Sequence, residues 1–163
     1  MKYLTATYLK DIEKYRLTIL HKDNYCLCIK KVIKIKEPFI LNEDDTKITI
    51  IDNDYYIVEY MPYKENYICR IHIDNKLNVI ERFYIATKNN CMKNGIPSFD
   101  DLKLSYVCVS KNNIEKFYNI ERAKKILSDN EYQLAIKEMQ KIRKEIKDND
   151  NFIYNLDYRK YLI

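Results

Sequence analysis

The chain has 163 residues, with 29 Lys and Arg against 24 Asp and Glu and a net charge of +5. A chain of this length can bury a hydrophobic core without disulfides or a structural metal. No stretch approaches the ~18 apolar residues of a membrane span, and the first residues lack the apolar run of a secretory signal, so we expect a cytoplasmic protein with no membrane association. The single glycine, Gly95, excludes glycine-rich phosphate loops.

Short runs rich in Ile, Val and Tyr dominate the chain after residues 1–15, which are compatible with a short helix or an extended arm. Polar segments separate the runs, and their Asn and Asp residues can adopt the positive φ values of tight turns. This spacing predicts an antiparallel meander rather than βαβ units. The predicted strands are Tyr25–Lys36, Lys47–Ile51, Tyr55–Tyr60, Tyr67–Ile73, Val79–Ala86, Leu102–Val109 and Glu115–Phe117. The longest interruption, Thr87–Ser98, is expected to be a loop.

The pattern becomes helical after residue 120 and predicts helices over Glu121–Leu127 and Asp129–Lys147. Ser128 and Glu131 have the spacing of a capping box at the start of the second helix. Its apolar stripe is either a dimer seam or, more commonly, the face that packs on the sheet. The stripe comprises Tyr132, Ala135, Met139, Ile142 and Ile146.

These elements predict a mainly β (α+β) fold, a small antiparallel β-barrel with two C-terminal helices packed on it. We expect one domain over residues 1–163. The barrel would occupy about 16–118, the helical segment about 120–148 and the tail 149–163.

Five cysteines stand at positions 26, 28, 69, 91 and 108, and they form no C-x-x-C pair. Cys26 and Cys28 share one face of a predicted strand, but no further residues show the spacing of a zinc site. Buried, reduced thiols are therefore the favoured interpretation.

Alternation along the strands predicts which polar side chains share a face. Arg70 and His72 lie side by side, where they either bind an anion or face solvent. The lysines at 30, 34 and 36 either follow phosphates or protect an edge strand by their charge. Asp101, Lys103 and Ser105 share one face and can line the mouth of a pocket. The candidate phosphate-binding residues are Lys30, Lys34, Arg70, His72 and Lys103.

The segment from Ile51 to about Ile142 resembles the FomD-like family. The pieces that carry the resemblance are DYYIVEYMP, ENYICRIHIDNKLNVIERFYIAT, GIPSFDDLKLSYVCV and NIERAKKILSDNEYQLAIKEMQKI. The resemblance implies a small antiparallel barrel and metal-dependent hydrolysis of phosphoanhydrides in nucleoside di- and triphosphates, or of a cytidylyl phosphonate ester. It also implies two Mg²⁺ or Mn²⁺ ions as cofactors, which carboxylates would hold.

The chain departs from the family at most positions that would hold metal. Asp101 matches a family aspartate, whereas Ala86 and Ser105 replace expected ligands and Lys103 stands where some members have an acid. Past that strand, Asn119 and Arg122 align with an Asp and a Glu, and a one-residue shift would bring in Glu121. The candidate metal ligands are therefore Asp101, Asp100, Asn119 and Glu121, although these substitutions argue against a bound metal. The Lys103 ammonium can instead pair with Asp101 and take the place of a cation.

These observations favour a degenerate member that binds a nucleotide or another phosphorylated small molecule with weak or no turnover. An active phosphohydrolase remains an alternative, but no catalytic residue can be assigned. An RNA-binding module is another, since the lysines at 30, 31, 34 and 36 and the 16 tyrosines suit backbone contact and stacking. A third alternative is a role in binding another protein. The sequence predicts neither the substrate nor the oligomeric state.

Overall fold

The computed structural model describes residues 1–43 and 45–162, and strands dominate this part of the chain. One antiparallel sheet contains seven strands in the order β1, β9, β8, β7, β6, β3 and β2. An eighth strand, β10, pairs with the C-terminal half of β9, whereas β1 pairs with its N-terminal part. The sheet curls into a half-barrel, and β4 and β5 form a separate hairpin. The strands are β1 Lys2–Tyr3, β2 Ile12–His21, β3 Tyr25–Ile35, β4 Phe39–Glu43, β5 Thr46–Ile51, β6 Tyr56–Pro62, β7 Tyr67–Ile73, β8 Val79–Lys93, β9 Ile96–Val109 and β10 Ile114–Tyr118.

Helices follow the strands, as the sequence predicts. They are α1 Ile120–Ile126, α2 Asp129–Lys147 and the short α3 Phe152–Asn155, followed by a 3₁₀ turn at Arg159–Tyr161. Ser128 and Glu131 form the predicted capping box at the start of α2. The mainly β fold with C-terminal helices on the sheet is thus confirmed.

The apolar stripe of α2 packs on the sheet. Ala135, Met139 and Ile142 are fully buried in the same hydrophobic cluster as Tyr67 and Tyr84 of the sheet. Packing against the sheet, rather than a dimer seam, therefore accounts for the helical periodicity.

The segment Thr87–Ser98 is not a loop. It forms the outer half of a long β8–β9 hairpin, in which Lys93 pairs with Ile96 across the two-residue turn Asn94–Gly95. Both turn residues have positive φ, which Asn and Gly adopt most readily. The strand is hard to see in the sequence because this half of the hairpin lacks the alternating apolar pattern of a buried strand.

The two faces of the sheet bury different sets of side chains. One face packs against α1, α2 and the tail. The opposite face carries two smaller apolar clusters, one of which includes Leu4 from the N-terminal arm, defined here as residues 1–8. Arg70 and His72 lie on this second face, and because His72 is only 4% exposed, the alternative that these side chains simply face solvent does not hold for His72. In the part of the chain that the structure describes, no helix is long and apolar enough to cross a membrane.

Candidate functional site

A cavity of about 640 Å³ opens on the sheet face opposite α2. Its walls come from the N-terminal arm, from β7, β8 and β9, and from the start of α1. Pockets of roughly 300–1,000 Å³ are typical of sites for small molecules. The cavity is therefore large enough for a small-molecule ligand.

Positive charge dominates the cavity wall. Four basic side chains, Lys2, Arg70, Lys103 and Arg122, line it, whereas Asp101 is the only carboxylate among the lining residues. A concave surface lined by charges of one sign concentrates counter-ions of the opposite sign. Its electrostatics therefore favour an anionic ligand.

Asp101 is held by two lysines and by a backbone amide. The Lys2 ammonium donates to Oδ2 at 2.7 Å, the Lys103 ammonium lies 3.4 Å from the same oxygen, and the Lys103 N–H donates to Oδ1 at 2.7 Å. Burial opposes ionisation of this carboxyl, but these bonds and charges outweigh it and lower the pKa of Asp101. The pairing of Lys103 with Asp101 that the sequence suggests is thus present in the structure.

A bulge in β9 presents Lys103 to the cavity. The register moves from Ile85 opposite Ser105 to Thr87 opposite Asp101, so β9 holds two more residues than β8 over this stretch. Lys103 has φ 67°, a left-handed conformation that a residue with a Cβ rarely adopts. Asp101, Lys103 and Ser105 all line the cavity, as the alternation predicts. Bulges commonly redirect side chains beside functional sites in this way.

Two contacts fix the guanidinium of Arg70 at the cavity wall. Its Nε and Nη2 each lie 3.3 Å from Oε2 of the buried Glu59, and its Cζ lies 4.0 Å from the ring centroid of Tyr8. Tyr8 is itself tied to the sheet, because its hydroxyl is hydrogen-bonded to Nε2 of His72, whose Nδ1 lies 3.0 Å from Glu81. Desolvation of the hydroxyl end raises the pKa of Tyr8 further above neutral pH.

Some of the site residues predicted from the sequence line the cavity, and the others lie elsewhere on the protein. The cavity brings together Arg70, Lys103, Asp101 and Asn119, along with Ser105 and Arg122. Asn119 precedes α1 with φ 65° and makes no side-chain capping bond, so capping does not occupy its amide. Asn119 and Arg122, the residues aligned with the family's Asp and Glu without a one-residue shift, therefore both line the cavity.

The remaining proposed residues lie outside the cavity lining. The Lys30 ammonium is buried against Glu59, His72 is buried between Tyr8 and Glu81, and Lys34 pairs with Glu13 on the surface. Ala86 is buried in the cluster under α2. Asp100 accepts a hydrogen bond from Asn89, and Glu121 is exposed on α1.

The donor set in the cavity does not fit the divalent metal pair that the family resemblance implies. Hard divalent cations take oxygen ligands, and the protein usually contributes carboxylates to each ion beside waters and substrate phosphates. Here the one carboxylate, Asp101, is already bonded to two ammonium groups, and the other side-chain oxygens in the lining belong to neutral hydroxyl and amide groups. Across the described residues, no cluster of three or more His, Cys, Asp or Glu side chains suits a metal.

Sequence reasoning misses the contribution of the N-terminal arm. Lys2, Thr7 and Tyr8 all line the cavity, and the Thr7 hydroxyl is buried without a hydrogen-bond partner in the described chain. No motif marks these residues, because the arm forms only the two-residue strand β1 before it crosses the sheet face.

Comparison with solved structures shows that the fold is similar to a known one. The structure described as the complex structure of FomD with CDP matches at a TM-score of 0.61 and 10% sequence identity, covering 89% of this chain and 80% of that chain. No protein-family model and no curated protein matches the sequence. The chain therefore has a FomD-like fold.

Proposed function

We propose that this protein binds the phosphate groups of a nucleotide-like small molecule in the cavity, without a divalent metal ion and with weak or no turnover. The excess of basic over acidic side chains in one cavity carries the proposal. The FomD-like fold supports it, because the similar structure is described as a complex with CDP.

The cavity lining offers groups for the phosphates of such a ligand and for its base. Arg70, Lys103 and Arg122 have the chemistry to bind phosphate oxygens, and guanidinium groups can do so with two parallel hydrogen bonds. The unpartnered Thr7 hydroxyl can donate another bond. Aromatic rings such as Tyr3 and Phe99 at the same cavity offer faces on which a base can stack.

The lysines support binding without metal. In a metal-dependent site, carboxylates hold cations that in turn bind the phosphates. Here Lys2 and Lys103 supply positive charge on Asp101 directly. A divalent ion placed at this carboxylate would be repelled by both ammonium groups.

RNA binding is the weaker alternative. Of the lysines that could follow an RNA backbone along β3, Lys30 is buried and Lys34 is paired with Glu13. Lys31 lies over the Tyr56 ring. These contacts interrupt the row of charges that backbone binding would use.

The test measures binding of CDP, inorganic pyrophosphate and cytidine by calorimetry at low salt, with EDTA or with Mn²⁺. We expect CDP and pyrophosphate to bind in EDTA, with affinities that fall as salt rises, and cytidine to bind far more weakly. Failure of both phosphate compounds to bind the folded protein would refute the proposal.

A second assay follows phosphate release from nucleoside di- and triphosphates with Mg²⁺, Mn²⁺ or EDTA. Clear metal-dependent turnover would establish an active hydrolase and contradict the metal-free site. A single-stranded RNA that binds much more tightly than CDP would favour the RNA alternative.

A further inference from the structure

A buried cation lies behind the cavity and does not line it. Lys30 on β3 is 1% exposed, and its ammonium bonds to Oε1 of Glu59 at 2.8 Å, to the carbonyl of Ala6 at 2.7 Å and to the carbonyl of Leu4 at 3.3 Å. An ammonium has three protons to donate, so these three acceptors use its whole capacity. Lys30 therefore holds the N-terminal arm instead of contacting a ligand.

Glu59 joins this anchor to the cavity wall. One of its carboxylate oxygens accepts from Lys30, and the other lies 3.3 Å from two nitrogens of Arg70. The same buried carboxylate thus contacts the group that holds the arm and a cation that lines the cavity. A change at either cation alters the electrostatic environment of the other.

Besides the Lys30 anchor, polar contacts tie both ends of the arm to the sheet: Lys2 pairs with Asp101, and the Tyr8 hydroxyl is hydrogen-bonded to His72. β1 pairs only Lys2 and Tyr3 with Phe99 and Ser98, the Leu4 amide bonds to Pro97, and the Leu4 side chain enters an apolar cluster. Among residues 1–8 only Leu4 is fully buried, and segments with few buried side chains undock at lower free-energy cost than the core. Yet this arm supplies Lys2, Thr7 and Tyr8 to the cavity.

We propose that Lys30 and Glu59 are positioning residues that dock the arm and orient Arg70, so that ligand binding is coupled to docking of residues 2–8. This inference rests on the proposed function for its ligand. A buried ion pair is often no more stabilising than an apolar pair of similar volume. The specific effect of this pair is therefore on the position of the arm, more than on global stability.

The test compares Lys30→Met with Lys34→Met. Both substitutions remove one charge from β3, but Lys34 is on the surface, 70% exposed at its side chain and paired with Glu13. The double variant Lys30→Met/Glu59→Gln also removes the buried carboxylate, in case the single variant folds poorly. Affinity for pyrophosphate is measured by calorimetry, and local opening is measured by hydrogen exchange of a peptide that covers residues 1–8.

We expect Lys30→Met to weaken pyrophosphate binding by about tenfold, a coupling of ordinary size. Exchange in the arm peptide should become about tenfold faster, while β7 remains protected. Ligand should slow exchange in the arm of the wild type and of Lys34→Met. Equal affinity and equal arm exchange in Lys30→Met and wild type would overturn the inference, as would weaker binding with no change in the arm.

The two proposals fail in different ways. If the wild type does not bind pyrophosphate or CDP, the proposed function fails, whereas faster arm exchange in Lys30→Met would still establish the anchor. If the wild type binds and the double variant folds with unchanged affinity and unchanged arm exchange, the coupling fails and the phosphate site stands.

Discussion

Lys2 and Asp101 are 99 residues apart in sequence, and the Lys2 ammonium donates a 2.7 Å hydrogen bond to the Asp101 carboxylate. The bond joins the N-terminal arm to the bulge of β9. It also commits the cavity's one lining carboxylate to a fixed cation. This relationship separates the present cavity from a site that collects divalent metals through free carboxylates.

Arg122 provides a direct test of the phosphate site. It lines the cavity from α1, and its guanidinium makes no ion pair or hydrogen bond with any residue the structure describes. A hydrogen bond to a charged group contributes about 1.5–3 kcal/mol, so Arg122→Ala should weaken CDP binding by at least about tenfold. Lys125→Ala on the same helix, outside the cavity lining, is the control and should bind like the wild type. Calorimetry in EDTA measures CDP binding by both variants. If Arg122→Ala binds CDP as tightly as the wild type, Arg122 is not part of the phosphate site.

Lys103→Asp should convert the bulge into a better metal site. The change replaces an ammonium beside Asp101 with a second carboxylate, and Asp tolerates the left-handed conformation at this position. We expect Mn²⁺ to bind the variant at least about tenfold more tightly than the wild type. Lys103→Asn removes the charge without adding a ligand carboxylate, so its Mn²⁺ affinity should lie between those of Lys103→Asp and the wild type. Equally tight Mn²⁺ binding by the wild type would show that the lysine does not substitute for a metal.

The Asp101 carboxyl should make stability depend on pH in the acid range. Its pKa is lowered below the usual 3.8. The group therefore stabilises the folded protein above that value, and the contribution disappears as pH falls through the lowered pKa. The free energy of unfolding of the wild type should exceed that of Asp101→Asn at pH 6, and the difference should shrink below about pH 4. A difference that stays constant from pH 7 to pH 3 would contradict this assignment.

Thiol labelling should distinguish Cys91 from the other cysteines. Burial raises the pKa of Cys26 to about 11 and that of Cys28 to about 12, and Cys69 and Cys108 are also buried with raised pKa values. Cys91 is the partly exposed one. At pH 8 a thiol reagent should label one site quickly in the native protein and five after denaturation, because the thiolate is the reactive form. Cys91→Ser should remove the fast reaction, and rapid labelling of a second thiol would show that the buried face opens.

Ser128→Ala tests the start of α2. The Ser128 hydroxyl accepts a hydrogen bond from the Glu131 amide, and the Glu131 carboxylate accepts one from the Ser128 amide. Loss of such a cap costs about 1 kcal/mol in the free energy of unfolding. Gln140→Ala, on the exposed face of α2, should change it by less than about 0.5 kcal/mol. Chemical denaturation of both variants measures the difference, and equal stability would show that the cap contributes little here.

Local chemistry in the sequence determined the parts of the fold that depend on near neighbours. The bounds of β7 and α2 follow from alternation of period two and from the Ser128–Glu131 capping box, since the residues that decide them are adjacent in the chain. The same alternation placed Asp101, Lys103 and Ser105 on one face, and these residues do line the cavity.

Only the tertiary structure decided what those side chains meet. The pairing of Lys2 with Asp101 and the burial of Lys30 against Glu59 depend on how the arm crosses the curled sheet, and no local pattern encodes that path. Lys30 and Lys34 look alike in the sequence, yet one is a buried anchor and the other a surface residue. The physical reason is that the free energy of a charged side chain depends on its solvation and partners, which the three-dimensional packing sets.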